Sequence, residues 1–307
     1  MTSTIKIKNI SKSYGDIKAL NNISLDIEKN EIFGFIGPDG AGKTTLFRIL
    51  TSLLLADKGD AIVGGLDVVK DYKKLRTKLG YMPGKFSLYQ DLTVEENLNF
   101  FAGIFNTTIK ENYHLIEDIY VQIEPFKKRK AGDLSGGMKQ KLALSCALIH
   151  KPEILFLDEP TTGVDAVSRI EFWEMLYKLK KQGITIVVST PYMDEAARCD
   201  RIALIQKGEI MSINKPEGIV KSFSKKLYGV KAHHMYELVL LLRKYPPCES
   251  AYLFGEWIHL STAKDLVISD LENYLAVSQM KDIQIEEIQP DIEDSFMELM
   301  NKKSTKA

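Results

Sequence analysis

The chain has 307 residues, which suits one large domain and a smaller one, given about 100–200 residues per domain. Apolar residues make up 45% and charged residues 27%, a composition that excludes a disordered or fibrous protein. Lysine plus arginine equals aspartate plus glutamate at 41 each, so a global positive field that attracts nucleic acid or an anionic membrane is also excluded.

The cysteines and the apolar segments indicate the cellular compartment of the chain and whether it crosses a membrane. Cys146, Cys199 and Cys248 are far apart and follow neither a metal-ligand spacing nor a disulfide-rich pattern, so we expect reduced thiols in the cytoplasm. The first residues lack the apolar stretch of a signal peptide, and no window approaches about 18 uninterrupted apolar residues. We expect a chain that does not cross a membrane by itself.

The first two-thirds of the chain read as an α/β core. Alternating apolar and polar residues predict an opening antiparallel β layer, with the apolar positions at Ile5, Ile7, Ile23, Leu25 and Ile27. Short continuous apolar runs at residues 32–36, 154–157 and 184–188 are typical of buried parallel strands that alternate with helices. A glycine-rich turn at residues 37–42 separates the first of these runs from a predicted helix at residues 43–54.

Two further regions depart from this alternation. Between about residues 88 and 150 helical periodicity dominates, which predicts an inserted helical subdomain. Residues 201–213 favour a hairpin around Lys207-Gly208. After Pro216 the order β-α-β-β-α-β predicts a small ferredoxin-like α+β domain, with strands at 227–230, 251–254, 257–260 and 283–285 and helices at 236–245 and 265–277. We therefore divide the chain into residues 1–215 and 216–307.

The glycine-rich turn fits the phosphate-binding pattern G-x-x-x-x-G-K-[ST], with a strand before it and a helix after it. Glycines let the backbone turn successive N–H groups inward, and the following helix presents its positive end to phosphates. Lys43 would reach the β and γ phosphates, and the Thr44 hydroxyl would join a Mg²⁺ shell. The predicted nucleotide-binding residues of this loop are Gly37, Pro38, Asp39, Gly40, Ala41, Gly42, Lys43, Thr44 and Thr45.

Two carboxylates end the predicted strand at residues 154–157. Because strand side chains alternate, Asp158 and Glu159 point in different directions. Asp158 can hold Mg²⁺ or its water while Glu159 polarises an attacking water, and phosphoryl transfer needs both tasks. We predict Glu159 as the catalytic residue, and Thr44 with Asp158 as the metal ligands.

Residues 134–140, Leu-Ser-Gly-Gly-Met-Lys-Gln, begin a helix upstream of that strand. With this motif between the phosphate loop and the carboxylates, the sequence resembles the nucleotide-binding subunit of an ATP-binding cassette (ABC) transporter over residues 5–213. The family signature is LSGGQ, and Met138 takes its last place. The resemblance implies a P-loop NTPase fold, ATPase activity, ATP and Mg²⁺ as cofactors, and a signature that completes the ATP site of a second cassette through Ser135, Gly136 and Gly137.

The resemblance extends to smaller motifs and to partners. Tyr14 stands where the family has the aromatic ring that stacks on adenine. Residues 162–165 resemble the D-loop, with Asp165 at the dimer interface. Residues 83–98 and 290–296 are similar to the multidrug and ABC-2 exporter branch. The implied partners are a second cassette, identical or different, and separate membrane permease subunits, which would hold the chain at the cytoplasmic face of the cell membrane; no nucleic acid partner is expected.

Two positions depart from the family pattern. Gly84 stands where the family has a glutamine that touches Mg²⁺ and water, and Pro191 where it has a histidine that contacts the γ-phosphate. Proline offers neither a side-chain donor nor a backbone N–H. Loss of one preorganised donor costs about 10²–10³ in rate, so we predict the hydrolysis-impaired half of an asymmetric pair. Compensation by Lys85 or another residue is the alternative.

Other functions remain as competing hypotheses. A nucleotide-binding regulatory module without useful turnover is one, and a soluble ABC ATPase that acts outside transport is another. Residues 127–130 are basic but lack interleaved aromatic residues, which favours a solvated loop, and the pair His233-His234 favours the surface. Residues 99–101 and Phe105 are most simply helical core; the alternative is a groove for a membrane subunit.

Overall fold

The computed structural model describes residues 3–263, 265–276, 280 and 282–304. The chain divides into two compact units, Met1–Pro216 and Glu217–Ala307. Within the described residues, no helix combines the length and the apolar character needed to span a bilayer.

The first unit contains two sheets. The antiparallel layer has the order β2-β1-β4-β5, from β1 (Ser3–Tyr14), β2 (Ile17–Glu28), β4 (Lys58–Val63) and β5 (Leu66–Asp67). The second sheet has the order β10-β9-β3-β8-β7-β6, from β3 (Ile32–Ile36), β6 (Leu79–Met82), β7 (Ile154–Asp158), β8 (Thr185–Thr190), β9 (Arg201–Gln206) and β10 (Glu209–Asn214). Its strands pair in parallel except β9 with β10, which form the predicted hairpin. The predicted α/β class is confirmed.

The helices of the first unit lie beside this second sheet or form the inserted subdomain. They are α1 (Lys43–Leu50), α2 (Tyr72–Arg76), α3 (Val94–Ile104), α4 (Ile109–Tyr120), α5 (Gly136–Leu148), α6 (Ala166–Lys181) and α7 (Met193–Ala196). Thr93 and Thr108 start α3 and α4 with capping boxes, in which each threonine exchanges hydrogen bonds with a glutamate three residues later. Helix α1 ends four residues before the predicted end at residue 54.

The core of the first unit lies between its β layer and the parallel sheet. Phe33, Phe35, Phe47 and Phe156 contact one another edge to face in this core and are fully buried. The interpretation of residues 99–101 as core is wrong for Asn99 and Phe100, because the side of α3 that carries them faces solvent.

Helix α8 (Pro216–Lys221) crosses the boundary between the units. The second unit contains β11 (Lys226–Lys231), α9 (Met235–Leu242), β12 (Cys248–Phe254), β13 (Trp257–Thr262), α10 (Ile268–Ala276), β14 (Gln284–Glu287) and α11 (Ile292–Ser304). Its antiparallel sheet has the order β12-β13-β11-β14, and its strand and helix sequence is the predicted β-α-β-β-α-β. The predicted last helix residue, Val277, lies outside the described residues. Helix α11 was not predicted.

Candidate functional site

The loop between β3 and α1 is shaped by its glycines. Gly42 caps α1 with a φ of 103°, a left-handed conformation that L side chains rarely adopt. A Cβ atom on Gly42 would lie 2.4 Å from the Ala19 carbonyl oxygen on β2, so the close approach of this strand also requires glycine. The loop therefore turns tightly into the first turn of α1, whose N–H groups have no partners inside the helix.

Lys43 is the buried cation of this loop. Its side chain is 3% exposed, and Nζ donates to the Gly37 and Pro38 carbonyl oxygens at 2.8 and 3.0 Å. Nζ also lies 3.4 Å from Glu159 Oε1. Because carbonyl oxygens and a carboxylate surround it, the buried charge is compensated and stands at the centre of the loop.

Asp158 is the last residue of β7, and Glu159 directly follows this strand. In the sheet, β7 is separated from β3 by β8 alone. Asp158 is buried, and its Oδ1 accepts a hydrogen bond from Ser189 Oγ on β8. The Glu159 N–H donates to the Ser189 carbonyl oxygen at 2.9 Å, and Glu159 has a φ of 50°. These two hydrogen bonds show that Ser189, which was not predicted, orients both acidic residues. Near this site, burial and the Asp158 carboxylate raise the pKa of Tyr81 to about 12.

The donor set suits a hard cation that also binds phosphate. Thr44 offers a hydroxyl oxygen in the first turn of α1, and Asp158 offers a carboxylate. The part of the chain that the structure describes contains no group of three or more His, Cys, Asp or Glu residues able to hold a metal ion. Mg²⁺ commonly binds through one or two carboxylates, substrate phosphates and water, so these residues fit it when a nucleotide supplies the remaining oxygens.

The Ser135 to Gly137 segment lies at the start of α5. Ser135 is exposed, and its Oγ caps the helix by accepting from the Met138 N–H at 3.4 Å. A Cβ atom on Gly137 would lie 2.8 Å from Ser168 Oγ on α6. Asp165 caps α6 and accepts from the Ser168 N–H at 3.0 Å, which keeps the pKa of Asp165 below its usual value. The signature and the D-loop segment are therefore packed against each other within one chain.

The two departures from the family pattern, Gly84 and Pro191, lie close to the predicted site residues. A Cβ atom on Gly84 would lie 3.0 Å from the Asp158 carbonyl oxygen and 3.6 Å from Glu159 Cβ. Pro191 directly follows β8, whose last residue, Thr190, accepts from the Gly37 N–H at 3.3 Å. Both positions thus adjoin the phosphate loop or the carboxylates.

Tyr14 ends β1 and is 47% exposed. The Lys12 Nζ lies 5.9 Å from its ring centroid. Ala19, on the strand that follows the β1–β2 turn, contacts Gly42 of the phosphate loop. Tyr14 is thus about half exposed, and its role in adenine binding stays a prediction.

A phosphate-binding loop with a buried lysine, opposite two carboxylates one strand away, defines the P-loop nucleotide-binding class. Residues 20–162 match the family model described as ABC transporter. The chain is 38% identical over 296 residues to the probable multidrug ABC transporter ATP-binding protein YbhF of Escherichia coli, which covers 94% of this chain and 50% of YbhF. It is 37% identical over 212 residues to the linearmycin resistance ATP-binding protein LnrL of Bacillus subtilis, at 68% coverage of both. The chain belongs to the ABC transporter family as an ATP-binding cassette.

Solved structures agree with this assignment. The dimeric ATP-binding cassette MJ0796 bound to ADP and Pi is 28% identical, with a TM-score of 0.63, over 69% of this chain and 98% of that chain. The chain spans about half the length of YbhF, so likeness to that protein covers one part of it.

Proposed function

We propose that this chain is the ATP-binding and ATP-hydrolysing subunit of an ABC exporter. The observation that carries the proposal is the approach of Lys43 Nζ to Glu159 Oε1 at 3.4 Å, because it joins the phosphate loop to the catalytic carboxylate. Two relatives support export as the process it serves: one is named a multidrug ABC transporter ATP-binding protein, and another, 36% identical over 221 residues, is the Nod factor export ATP-binding protein I of Burkholderia lata.

In this proposal each residue has one task. The phosphate loop binds the β and γ phosphates, and Lys43 neutralises part of their charge. Thr44 and Asp158 would hold Mg²⁺, which would act as a Lewis acid toward the phosphate groups. Glu159 accepts a hydrogen bond from the attacking water and polarises it. Tyr14 stacks on the adenine ring.

The exposed signature residues fit a head-to-tail pair of cassettes. Ser135, Gly136 and Asp165 are exposed in the single chain. In such a pair, Ser135 and Gly136 would contact the ATP held by a second cassette, and Asp165 would lie at the same interface. In this arrangement Ser135 and Lys43 serve different ATP molecules. The second cassette is an identical or a different chain.

The inserted subdomain carries the features expected of a contact with membrane permease subunits. Tyr89, Phe100 and Ile104 are 51%, 41% and 55% exposed. A mainly apolar cavity of about 190 Å³ lies beside them and is lined in part by Leu53, Phe101, Phe105 and Ala147. Such a patch fits an apolar partner. Binding there would hold the chain on the cytoplasmic face of the membrane.

The finer part of the proposal is that this chain is the hydrolysis-impaired half of an asymmetric pair. Gly84 has no side chain to contact Mg²⁺ or water, and Pro191 has no donor for the γ-phosphate. Each missing donor costs about 10²–10³ in rate. The partner cassette would then keep the competent site, which Ser135, Gly136 and Gly137 of this chain complete.

Steady-state ATPase assays test this asymmetry. In a complex with the partner cassette, Ser135→Arg should abolish most turnover, while Glu159→Gln should reduce it modestly. The isolated chain should turn over well below the roughly 1–10³ s⁻¹ typical of enzymes. Brisk turnover by the isolated chain, or a larger loss from Glu159→Gln than from Ser135→Arg, would refute the asymmetric pair and leave the ABC assignment standing.

A regulatory module without useful turnover is the second candidate, and the same two substitutions, Gly84 and Pro191, favour it. ATP binding and ATP turnover measured on one sample separate the candidates. Tight binding with no turnover in the assembled complex would support the regulatory module.

A further inference from the structure

Glu195 on α7 is a fully buried acidic residue at 0% exposure, and none of the nucleotide motifs contains it. Its Oε1 accepts from Thr161 Oγ1 at 2.6 Å, and its Oε2 accepts from Thr190 Oγ1 at 2.6 Å. Both hydroxyl groups belong to buried threonines. A buried carboxylate is costly unless hydrogen bonds compensate it, so this pair of bonds fixes the side chain.

The two threonines come from different parts of the site. Thr161 lies in the turn that follows Glu159, where the Thr162 N–H donates to the Glu159 carbonyl oxygen at 3.2 Å. Thr190 ends β8, and its carbonyl oxygen accepts from the Gly37 N–H of the phosphate loop at 3.3 Å. One carboxylate therefore ties the turn that carries the catalytic glutamate to the strand end that contacts the phosphate loop.

Arg169 on α6 extends this cluster toward the D-loop. Its Nε lies 3.7 Å from Glu195 Oε1, within ion-pair distance but too far for a hydrogen bond, and is buried with no hydrogen-bond partner among the described residues. Its guanidinium lies 4.4 Å from the Tyr192 ring centroid, and Tyr192 immediately follows Pro191. The Tyr192 N–H donates to Thr190 Oγ1 at 3.1 Å. The segment around Pro191 is thus held by neighbours of Glu195.

We propose that Glu195 is a positioning residue for ATP hydrolysis at this chain's own site. It fixes the turn after Glu159 through Thr161 and the strand end before Pro191 through Thr190. The direction of Glu159 toward the attacking water would depend on this buried pair of hydrogen bonds, and Pro191 adds no donor of its own beside it. The inference rests on the proposed ATP hydrolysis and deepens it.

Variants of the full chain test the proposal through single-turnover hydrolysis of ATP and the Kd values of ATP and ADP. Glu195→Gln, Thr161→Val and Thr190→Val remove parts of the cluster. Thr185→Val is the matched control, because Thr185 starts the same strand, is 1% exposed, and accepts one hydrogen bond from the Asn30 N–H at 3.0 Å. Thr190→Ser keeps the hydroxyl group and serves as the conservative variant.

We expect the three cluster variants to slow hydrolysis about 10- to 100-fold, as loss of a supporting hydrogen bond does, while the Kd of ADP stays within about twofold. Thr185→Val should hydrolyse ATP at the unmodified rate, and Thr190→Ser should recover most of the rate that Thr190→Val loses. The double variant of Glu195→Gln with Thr190→Val should hydrolyse ATP no more slowly than the slower of the two single variants, because both substitutions disrupt the same hydrogen-bonded cluster.

Three outcomes would overturn the inference alone: unchanged rates in the cluster variants, an equal loss in Thr185→Val, or a parallel loss of ADP affinity that indicates general damage to the fold. A chain that fails to bind ATP without any substitution would overturn the proposed function and the inference with it.

Discussion

Lys43 is a buried cation whose charge is compensated by neighbouring polar groups. Its ammonium group is almost entirely buried, yet two backbone carbonyls of its own loop and the Glu159 carboxylate surround it. A buried cation without such partners would be strongly destabilising. Charged phosphate oxygens are a stronger hydrogen-bond partner than neutral carbonyls, so the ammonium group that these carbonyls hold in place can bind the phosphates of a nucleotide.

We expect Lys43→Ala to weaken Mg-ATP binding about 10- to 100-fold, because hydrogen bonds to a charged group contribute about 1.5–3 kcal/mol each. The fold should persist, since Lys43 is not part of the apolar core of the first unit. Isothermal titration with Mg-ATP measures the affinity, and circular dichroism checks the fold. Lys181→Ala, which removes an exposed lysine at the end of α6, is the charge-matched control. Unchanged affinity in Lys43→Ala would contradict the proposed site.

Replacing Gly84 or Pro191 by the residue that the family has at that position should increase ATP turnover. Pro191→His restores a donor and a backbone N–H, and we expect it to raise turnover of the isolated chain about tenfold or more. Gly84→Gln should gain less, because its Cβ would lie 3.0 Å from the Asp158 carbonyl oxygen and the backbone must move. Gly84→Ala measures that steric cost without the amide. If Pro191→His turns over no faster than the unmodified chain, the missing histidine does not limit hydrolysis.

At the scale of elements, α5 and α6 are held at their N-terminal ends. Gly137 on α5 faces Ser168 on α6 so closely that a methyl group would lie 2.8 Å from Ser168 Oγ and 3.1 Å from Ser168 Cβ. Ser135 and Asp165 cap the same two helix ends. The signature glycine is therefore needed for helix packing inside the chain as well as for any contact with a second cassette.

We expect Gly137→Ala to lower the free energy of unfolding by about 1–3 kcal/mol through overpacking. Adding Ser168→Ala should recover part of this loss, because it removes the nearer of the two atoms. Urea denaturation measures both. Gly103→Ala on α3 is the control, since open space surrounds Gly103, and it should stabilise the chain by about 0.5–1 kcal/mol. A Gly137→Ala chain as stable as the unmodified one would show that the two helices can separate freely.

At the scale of the whole molecule, each unit has an apolar core of its own. The core of the first unit centres on the phenylalanines between its sheets. The second unit buries Tyr228, Val230, Leu238, Ile258 and Leu260 among other residues between its sheet and helices. The residues predicted to bind the nucleotide and its metal ion, from Tyr14 to Glu159, all lie in the first unit. Nucleotide binding should therefore need no residue of the second unit.

We expect a chain that ends at Pro216 to fold and to bind Mg-ATP within about threefold of the full chain, since the boundary between the compact units falls there. Titration and thermal unfolding of both chains measure this. A second truncation at Lys221, which keeps all of α8, controls for damage to that helix. A shortened chain that folds but does not bind ATP would contradict the independence of the first unit.

The sequence by itself determined the features that depend on local order. The phosphate loop, the buried strands before it and before Asp158, the hairpin after residue 200 and the β-α-β-β-α-β order were all predictable, because periodicity and glycine spacing act within a few residues. Strands β4, β5 and β6 and helix α11 are among the elements that were missed. β5 and β6 are short, and β4 and β6 carry glycines that interrupt the apolar pattern.

Only the tertiary structure decided which distant residues meet. Ser189 donates a hydrogen bond to Asp158 across neighbouring strands, and Gly137 on one helix closely approaches Ser168 on another. Glu195 accepts hydrogen bonds from the hydroxyl groups of Thr161 and Thr190. Serine, threonine and glutamate at these positions look like ordinary surface residues in one sequence, since no local pattern distinguishes a buried hydrogen bond from a solvated one. Strand pairing brings these side chains together, and burial turns their hydrogen bonds into constraints on the site.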